Sequence, residues 1–170
     1  RIVTDHVSTI RFACSQSALD SLVRENLAEQ SYLIGDPMYD AFVYYGEAKS
    51  KGVFADVFDF EGRAVKIPES YYYLTCHRQE NTNDPQKLKE ILSAMDTLDA
   101  QTIYPVHPRN QRVVKQFIDE KLFSNILFVQ PVGYLSSIAF AKNAKKIVTD
   151  SGGVQREAFF AEKKCVTVLD

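Results

Sequence analysis

Tyr71-Tyr72-Tyr73-Leu74-Thr75-Cys76 is the stretch on which the fold turns. It carries no charge and does not alternate between apolar and polar side chains. A strand with one wet face alternates; a strand buried on both faces does not, and continuous runs of this kind belong to parallel sheets. Residues 102–107 (TIYPVH), 126–130 (ILFVQ), 146–149 (KIVT) and 165–169 (CVTVL) have the same character. Helical patterns separate them. Leu88, Ile91, Leu92, Met95 and Leu98 form one stripe, opened by Asp84 as a cap and Pro85 at the first helical position. Val113, Val114, Phe117 and Ile118 form a second stripe, Leu135, Ile138 and Ala139 a third, and Val154, Ala158, Phe159 and Ala161 a fourth. The order from residue 71 onward is therefore β-α-β-α-β-α-β-α-β. It predicts an α/β fold: a Rossmann-like parallel sheet with right-handed crossovers and helices on both faces.

Upstream, residues 12–15 and 32–34 are short apolar runs, and residues 17–27 and Pro37–Ala48 look helical. His6 lies in a further helical-looking segment, where a cap or surface role is the default. Residues 46–70 contain Gly46, Gly52, Gly62 and Pro68 among mixed charges and read as a helix end followed by a linker or excursion.

Composition narrows the function. Lys and Arg total 20 against 22 Asp and Glu, a net charge of −2, which speaks against general nucleic-acid binding. No apolar run approaches the roughly 20 residues that cross a bilayer, and the first residues given do not read as a secretory h-region. Cys14, Cys76 and Cys165 share no CxxC spacing, so a zinc site or disulfide framework is not expected. Reduced, mostly buried thiols in a cytoplasmic protein are the expectation. The P-loop, GxGxxG and GxSxG signatures are all missing, which removes the main sequence support for nucleotide hydrolysis, NAD(P) oxidation and α/β-hydrolase chemistry.

Ligands of open α/β sheets bind beyond the carboxyl ends of the strands, and three loops there carry unusual residues. In Thr149-Asp150-Ser151-Gly152-Gly153-Val154-Gln155-Arg156-Glu157 a buried strand ends in an acid, and a helix starts at a Ser followed by two glycines. Ser151 is a natural cap. Gly152 and Gly153 leave the backbone amides open to a phosphate, which the helix dipole also attracts. Glu157, about one turn in, can reach the hydroxyls of a bound sugar. The alternative is a tight strand-to-helix turn with an ordinary cap. In Cys76-His77-Arg78-Gln79-Glu80-Asn81, His77 and Arg78 can donate to a diphosphate, with Glu80 and Asn81 orienting them. The same residues also suit a solvated polar loop. In Val106-His107-Pro108-Arg109-Asn110, His107 sits where His77 sits, one strand later, and a structural hydrogen bond to a neighbouring loop competes with a ligand role.

These loops resemble the UDP-N-acetylglucosamine 2-epimerase family. The resemblance runs through Thr4-Asp5-His6-Val7, Gly35-Asp36-Pro37-Met38-Tyr39-Asp40-Ala41, His77-Arg78-Gln79-Glu80-Asn81, Tyr104-Pro105-Val106-His107-Pro108, Pro131-Val132-Gly133-Tyr134-Leu135 and the residue 149–158 segment, in family order. His77-Arg78-Gln79-Glu80-Asn81 and the Met38-Tyr39-Asp40 segment also look like the subgroup that acts on UDP-2,3-diacetamido-glucuronic acid. The resemblance implies a GT-B fold of two Rossmann-like halves. Residues 1–35 would be the tail of the N-terminal half, and residues 36–170 most of the C-terminal, nucleotide-binding half. It implies inversion at C2 of a UDP-sugar by UDP elimination and re-addition, with no redox cofactor and no metal. The wider setting it implies is a cytoplasmic enzyme of cell-surface polysaccharide biosynthesis that is a homodimer at full length.

Carried over by position, His77 and Arg78 would meet the diphosphate, and Ser151, Gly152 and Gly153 would hold phosphate. Glu157 would bind the ribose, and Val132 would face the uracil. His77 is the one candidate catalytic residue. Ser137 stands where many members have an aromatic residue, and Leu169 where many have Arg. The family's acid/base carboxylates and a glycine-rich loop are expected upstream of Arg1, and a Thr-Glu motif beyond Asp170. The chain is thus expected to be a piece of a longer protein that lacks catalysis by itself. A hydrolysing relative, a GT-B glycosyltransferase and a non-catalytic nucleotide-binding domain are the competing readings.

Overall fold

A computed structural model describes residues 1–48 and 57–168 of the chain. Leu169 and part of the predicted 46–70 linker fall outside the described residues. The chain divides into two compact units, Arg1–Tyr44 and Tyr45–Asp170.

The first unit contains α1 (Ile2–Val7), β1 (Arg11–Ala13), α2 (Gln16–Arg24), β2 (Ser31–Leu33) and the start of α3 (Pro37–Ala48). β1 and β2 pair in parallel. Ser15 caps α2 by accepting from the Ala18 amide at 3.2 Å. The helix stops at Arg24, short of the expected residue 27. Asn26 adopts a left-handed φ of 59°, and the Leu27 amide turns back to the Leu22 carbonyl at 2.9 Å. This is the usual way a polar residue closes a helix end. His6 lies on α1, 3.8 Å from the Glu25 carboxylate.

The second unit has the expected alternation. Its strands are β3 (Tyr71–Thr75), β4 (Gln101–Pro105), β5 (Ile126–Val129), β6 (Ile147–Thr149) and β7 (Cys165–Thr167). The helices between them are α4 (Gln79–Thr82), α5 (Pro85–Asp96), α6 (Gln111–Asp119), α7 (Tyr134–Asn143) and α8 (Gly152–Phe160). All strand pairs are parallel, in the order β5-β4-β3-β6-β7. α5 begins as its sequence predicts, with the Asp84 carboxylate accepting from the Gln86 amide at 2.9 Å. α4 was not anticipated from sequence.

Burial on both faces explains the aromatic strand. Tyr72 and Leu74 face one core with Leu88, Leu92, Val114 and Phe117 of α5 and α6. Tyr71 and Tyr73 face the other with Phe140, Ala141 and Ala158 of α7 and α8. A buried tyrosine must still satisfy its hydroxyl. Tyr71 donates to the Phe140 carbonyl at 3.2 Å, Tyr72 to Asp99 at 2.7 Å, and Tyr73 pairs with Ser137 at 2.9 Å. The reversal of strand order between β3 and β6 opens a crevice at their carboxyl ends, the usual ligand position in such sheets.

The described part of the predicted linker is built into this core. The Val57 carbonyl accepts from the Val65 amide at 2.9 Å, and Phe58 and Ala64 form an antiparallel bridge. Asp59 Oδ1 accepts from the amides of Glu61 and Arg63, and Gly62 supplies the φ of +78° that closes the turn. Val57 is fully buried in the α7–α8 core. Losing two of its methyl groups costs about 2 kcal/mol in transfer and cavity terms. Val57→Ala is therefore expected to lower the urea midpoint with an unchanged denaturant slope. A solvent-exposed excursion would leave the midpoint unmoved.

Candidate functional site

The carboxyl ends of β3, β4 and β6 meet around one acid. Asp150, immediately after β6, is fully buried. Its Oδ2 accepts from the amides of His77 and Arg78, each at 2.8 Å, and from Asn81 Nδ2 at 3.2 Å. Asn81 also donates to the Val168 carbonyl at 3.0 Å, tying α4 to the segment after β7. Of the two residues expected to orient the loop, Asn81 does so through Asp150, while Glu80 is exposed. Beneath the loop, the Cys76 carbonyl accepts from Tyr104 Oη at 3.0 Å and from Asn110 Nδ2 at 2.8 Å. These bonds set where the His77–Arg78 backbone emerges from the core.

His77 and His107 stack, with ring centroids 5.6 Å apart and planes 27° from parallel. His107 does not bond to a neighbouring loop, as one reading supposed. Its Nδ1 accepts from the Arg109 amide at 3.2 Å, capping its own 3₁₀ turn, Pro108–Asn110. Burial first, then the nearby His77 and Arg109, hold His107 below its ordinary value of 6.5. Arg109 Nη1 donates to the His77 carbonyl at 3.3 Å.

On the other side of the crevice, α8 starts at Ser151, whose hydroxyl accepts from the Val154 amide at 3.4 Å. The Ser151 amide donates to Thr149 Oγ1 at 2.9 Å. The amides of Gly152 and Gly153 are left at the open end of the helix, where the first turn has no intrahelical acceptors. A Cβ placed on Gly152 would meet nothing within 4 Å. The protein itself therefore does not demand glycine there, whereas an anion seated on the amides would. Arg78 is exposed nearby.

Glu157 lies on the buried side of α8 at 5% exposure, and burial raises its carboxyl above the ordinary value of 4.5. Burial first, then Glu157, also raises the hydroxyl of Tyr134, which meets Tyr45 edge-on at 6.3 Å. Val132 packs partly into the α7–α8 core. Ser137 is committed to Tyr73, whose own hydroxyl burial pushes up to about 12.

The structure thus gathers His77, Arg78, Ser151, Gly152 and Gly153 around the crevice. Sequence reading missed the anchoring roles of Asp150 and Asn110. The available signal was an acid placed immediately after a short buried strand. Among the described residues, no group of three or more His, Cys, Asp or Glu is placed to hold a metal ion. No described helix is long and apolar enough to cross a membrane. Of the thiols, Cys76 is buried and raised to about 12, chiefly by that burial. Cys14 is exposed and Cys165 only half-buried, so the expectation of mostly buried thiols is corrected. Cys14 lies in the bend just after the three-residue β1, and Cys165 opens β7, whose burial pattern is too open to hide it.

The family profile described as UDP-N-acetylglucosamine 2-epimerase matches residues 1–170. A Methanococcus maripaludis protein named UDP-N-acetylglucosamine 2-epimerase homolog is 36% identical over 172 residues, covering 99% of this chain and 47% of that protein. A UDP-2,3-diacetamido-2,3-dideoxy-D-glucuronate 2-epimerase of Pseudomonas aeruginosa is 32% identical, over 100% of this chain and 46% of that protein. The crystal structure of Methanocaldococcus jannaschii UDP-GlcNAc 2-epimerase in complex with UDP-GlcNAc and UDP aligns at 33% identity with a TM-score of 0.78, over 100% of this chain and 48% of the other. The chain spans about half the length of the relatives it matches.

The buried Glu157 carboxyl has a stability consequence of definite sign. Between 4.5 and its raised folded value, the native state holds more protons than the unfolded chain, so stability falls as pH rises through that window. Glu157→Gln removes the loss. The variant is expected to unfold at higher urea concentration than the wild type near neutral pH. The two should coincide below about pH 4.

Proposed function

Since the chain belongs to the UDP-N-acetylglucosamine 2-epimerase family, we propose that it is the UDP-binding part of an enzyme that interconverts UDP-N-acetylglucosamine and UDP-N-acetylmannosamine. The observation that carries this reading is the open N-terminus of α8 facing the His77–Arg78 loop across Asp150. One side offers two backbone amides and a helix dipole, the other an imidazole and a guanidinium. A diphosphate between them would be held by neutral dipoles and by cationic donors at once.

In the proposed reaction C2 of the sugar loses its proton and the C1–O bond to the diphosphate breaks, which leaves a glycal-like intermediate and UDP. UDP then returns to C1, and a proton joins the opposite face of C2. Breaking the C1–O bond places new negative charge on a β-phosphate oxygen. The Gly152 and Gly153 amides and Arg78 would stabilise that charge, which is differential binding of the transition state. Ser151 would hold phosphate through its hydroxyl, and His77 would contact the leaving diphosphate. Glu157 would accept from ribose hydroxyls, and Val132 would lie against the uracil. We assign the carboxylates that move the C2 proton to the remainder of the full-length protein. In this reading residues 1–35 are the tail of its N-terminal domain and residues 36–170 belong to the nucleotide-binding domain. It is a cytoplasmic homodimer working without metal or redox cofactor, in the supply of cell-surface polysaccharide. The UDP-2,3-diacetamido-glucuronic acid epimerase remains the second reading, favoured by the Pseudomonas aeruginosa relative.

Calorimetry on the chain is expected to show UDP binding without epimerisation of UDP-N-acetylglucosamine, and epimerisation at a normal enzymatic rate would refute the division of labour. Glu157→Ala is expected to weaken UDP by about 1–3 kcal/mol, the scale of lost hydrogen bonds to a charged group. Unchanged affinity would remove the ribose role. In the full-length protein, free sugar accumulating with UDP would identify a hydrolase, and a need for an acceptor would identify a transferase.

A further inference from the structure

Every recorded donor around Asp150 goes to one of its two oxygens. Oδ2 takes the His77 and Arg78 amides and Asn81. Oδ1 is as deeply buried and has no hydrogen-bond partner. A buried carboxylate oxygen left unpaired is costly, and each such atom in a folded protein calls for a donor. The imidazole in reach is that of His77, its Nδ1 3.5 Å away on a side chain 41% exposed; the buried Cys76 thiol also interacts with Asp150. The inner edge of the imidazole therefore meets Asp150 while its outer edge looks into the crevice.

We propose that Asp150 is the positioning residue of the site: its Oδ1 accepts a hydrogen bond from the Nδ1–H of His77, which turns Nε2 toward the α8 N-terminus as the atom that meets a phosphate oxygen. This inference rests on reading that N-terminus as a diphosphate site. In the neutral ring so fixed, Nε2 carries a lone pair. When the anion binds, a proton from water joins Nε2, and the imidazolium is held by Asp150 on one edge and donates to phosphate on the other. No other bond is made or broken.

The groups facing His77 agree with this. From the end of β4 comes the stacked His107 ring, whose Nδ1 is already occupied by the Arg109 amide. The same surroundings that hold His107 below its ordinary value make it a neutral neighbour rather than a competing cation. Arg109 touches the His77 carbonyl rather than its ring, and Arg78 follows on the exposed side. Asp150 lies 3.5 Å from His77 Nδ1, and its influence on His107 is the smallest of those that act on that ring. The role also explains why the acid is hidden. A carboxylate exposed to the crevice would repel the diphosphate that the site is built to hold, whereas one behind the imidazole acts only through it.

Nitrogen-15 spectra of the His77 ring in the free chain, at a pH where the ring is neutral, are expected to show the proton on Nδ1. Asp150→Asn should move the ring toward the Nε2–H tautomer. Calorimetry of UDP slightly above neutral pH, in two buffers of different ionisation enthalpy, should show uptake of about one proton per UDP in the wild type. Asp150→Asn and His77→Gln should abolish that uptake and weaken UDP by tenfold or more. A wild-type ring protonated on Nε2, or equal proton uptake in Asp150→Asn, overturns the proposal. Because the tautomer is read on the unaltered chain, the result stands even if a variant fails to fold. If UDP does not bind at all, the proposed function fails, and the spectrum still decides what Asp150 does.

Discussion

One buried carboxylate organises the carboxyl-terminal rim of the sheet. Asp150 closes β6, yet the groups it holds belong to the segment after β3. A charge with no access to water must be surrounded by donors, or the fold could not tolerate it. Two consecutive backbone amides and a side-chain amide meet that demand. The price is that the His77–Arg78 backbone can take only one course. The same demand recruits Asn81, so that a four-residue helix forms where a plain loop was expected. The rim is thus fixed by electrostatic necessity rather than by propensity.

The sheet beneath delivers those groups to one place. β3 lies at the centre, flanked by β4 and β6 on either side, and the strand order reverses between β3 and β6. Helices α5 and α6 cover one face, α7 and α8 the other. Loops leaving β3 and β6 therefore lead to helices on opposite faces, and Asp150 joins them at their base. The three adjacent tyrosines hold this centre by packing outward in alternation, and each anchors a different neighbour through its hydroxyl. Their burial makes β3 a rigid platform for the loop that follows.

Function and stability pull against each other at α8. Glu157 sits where a neutral side chain would cost less, because burial disfavours its charged form. Gly152 gives up the helix propensity of a larger residue although nothing in the protein would obstruct one. Neither choice is explained by the folded chain alone, and the proposed UDP ligand, with its hydroxyls and its anion, would account for both. Sites of this kind commonly sit below the stability optimum for that reason.

The sequence by itself determined the alternation of elements, the parallel sheet, the start of α5 at Asp84 and the start of α8 at Ser151. These follow from local periodicity and capping, which act within a few residues. It also picked out His77, Arg78 and the Ser151–Gly153 turn, because their types are unusual at strand ends. Tertiary structure alone decided that Val57 belongs to the core, that His107 stacks on His77, and that Asp150 serves residues more than seventy positions earlier in the chain. Such pairings depend on which strands become neighbours. That choice is made by the packing of two faces at once, and no local pattern records it.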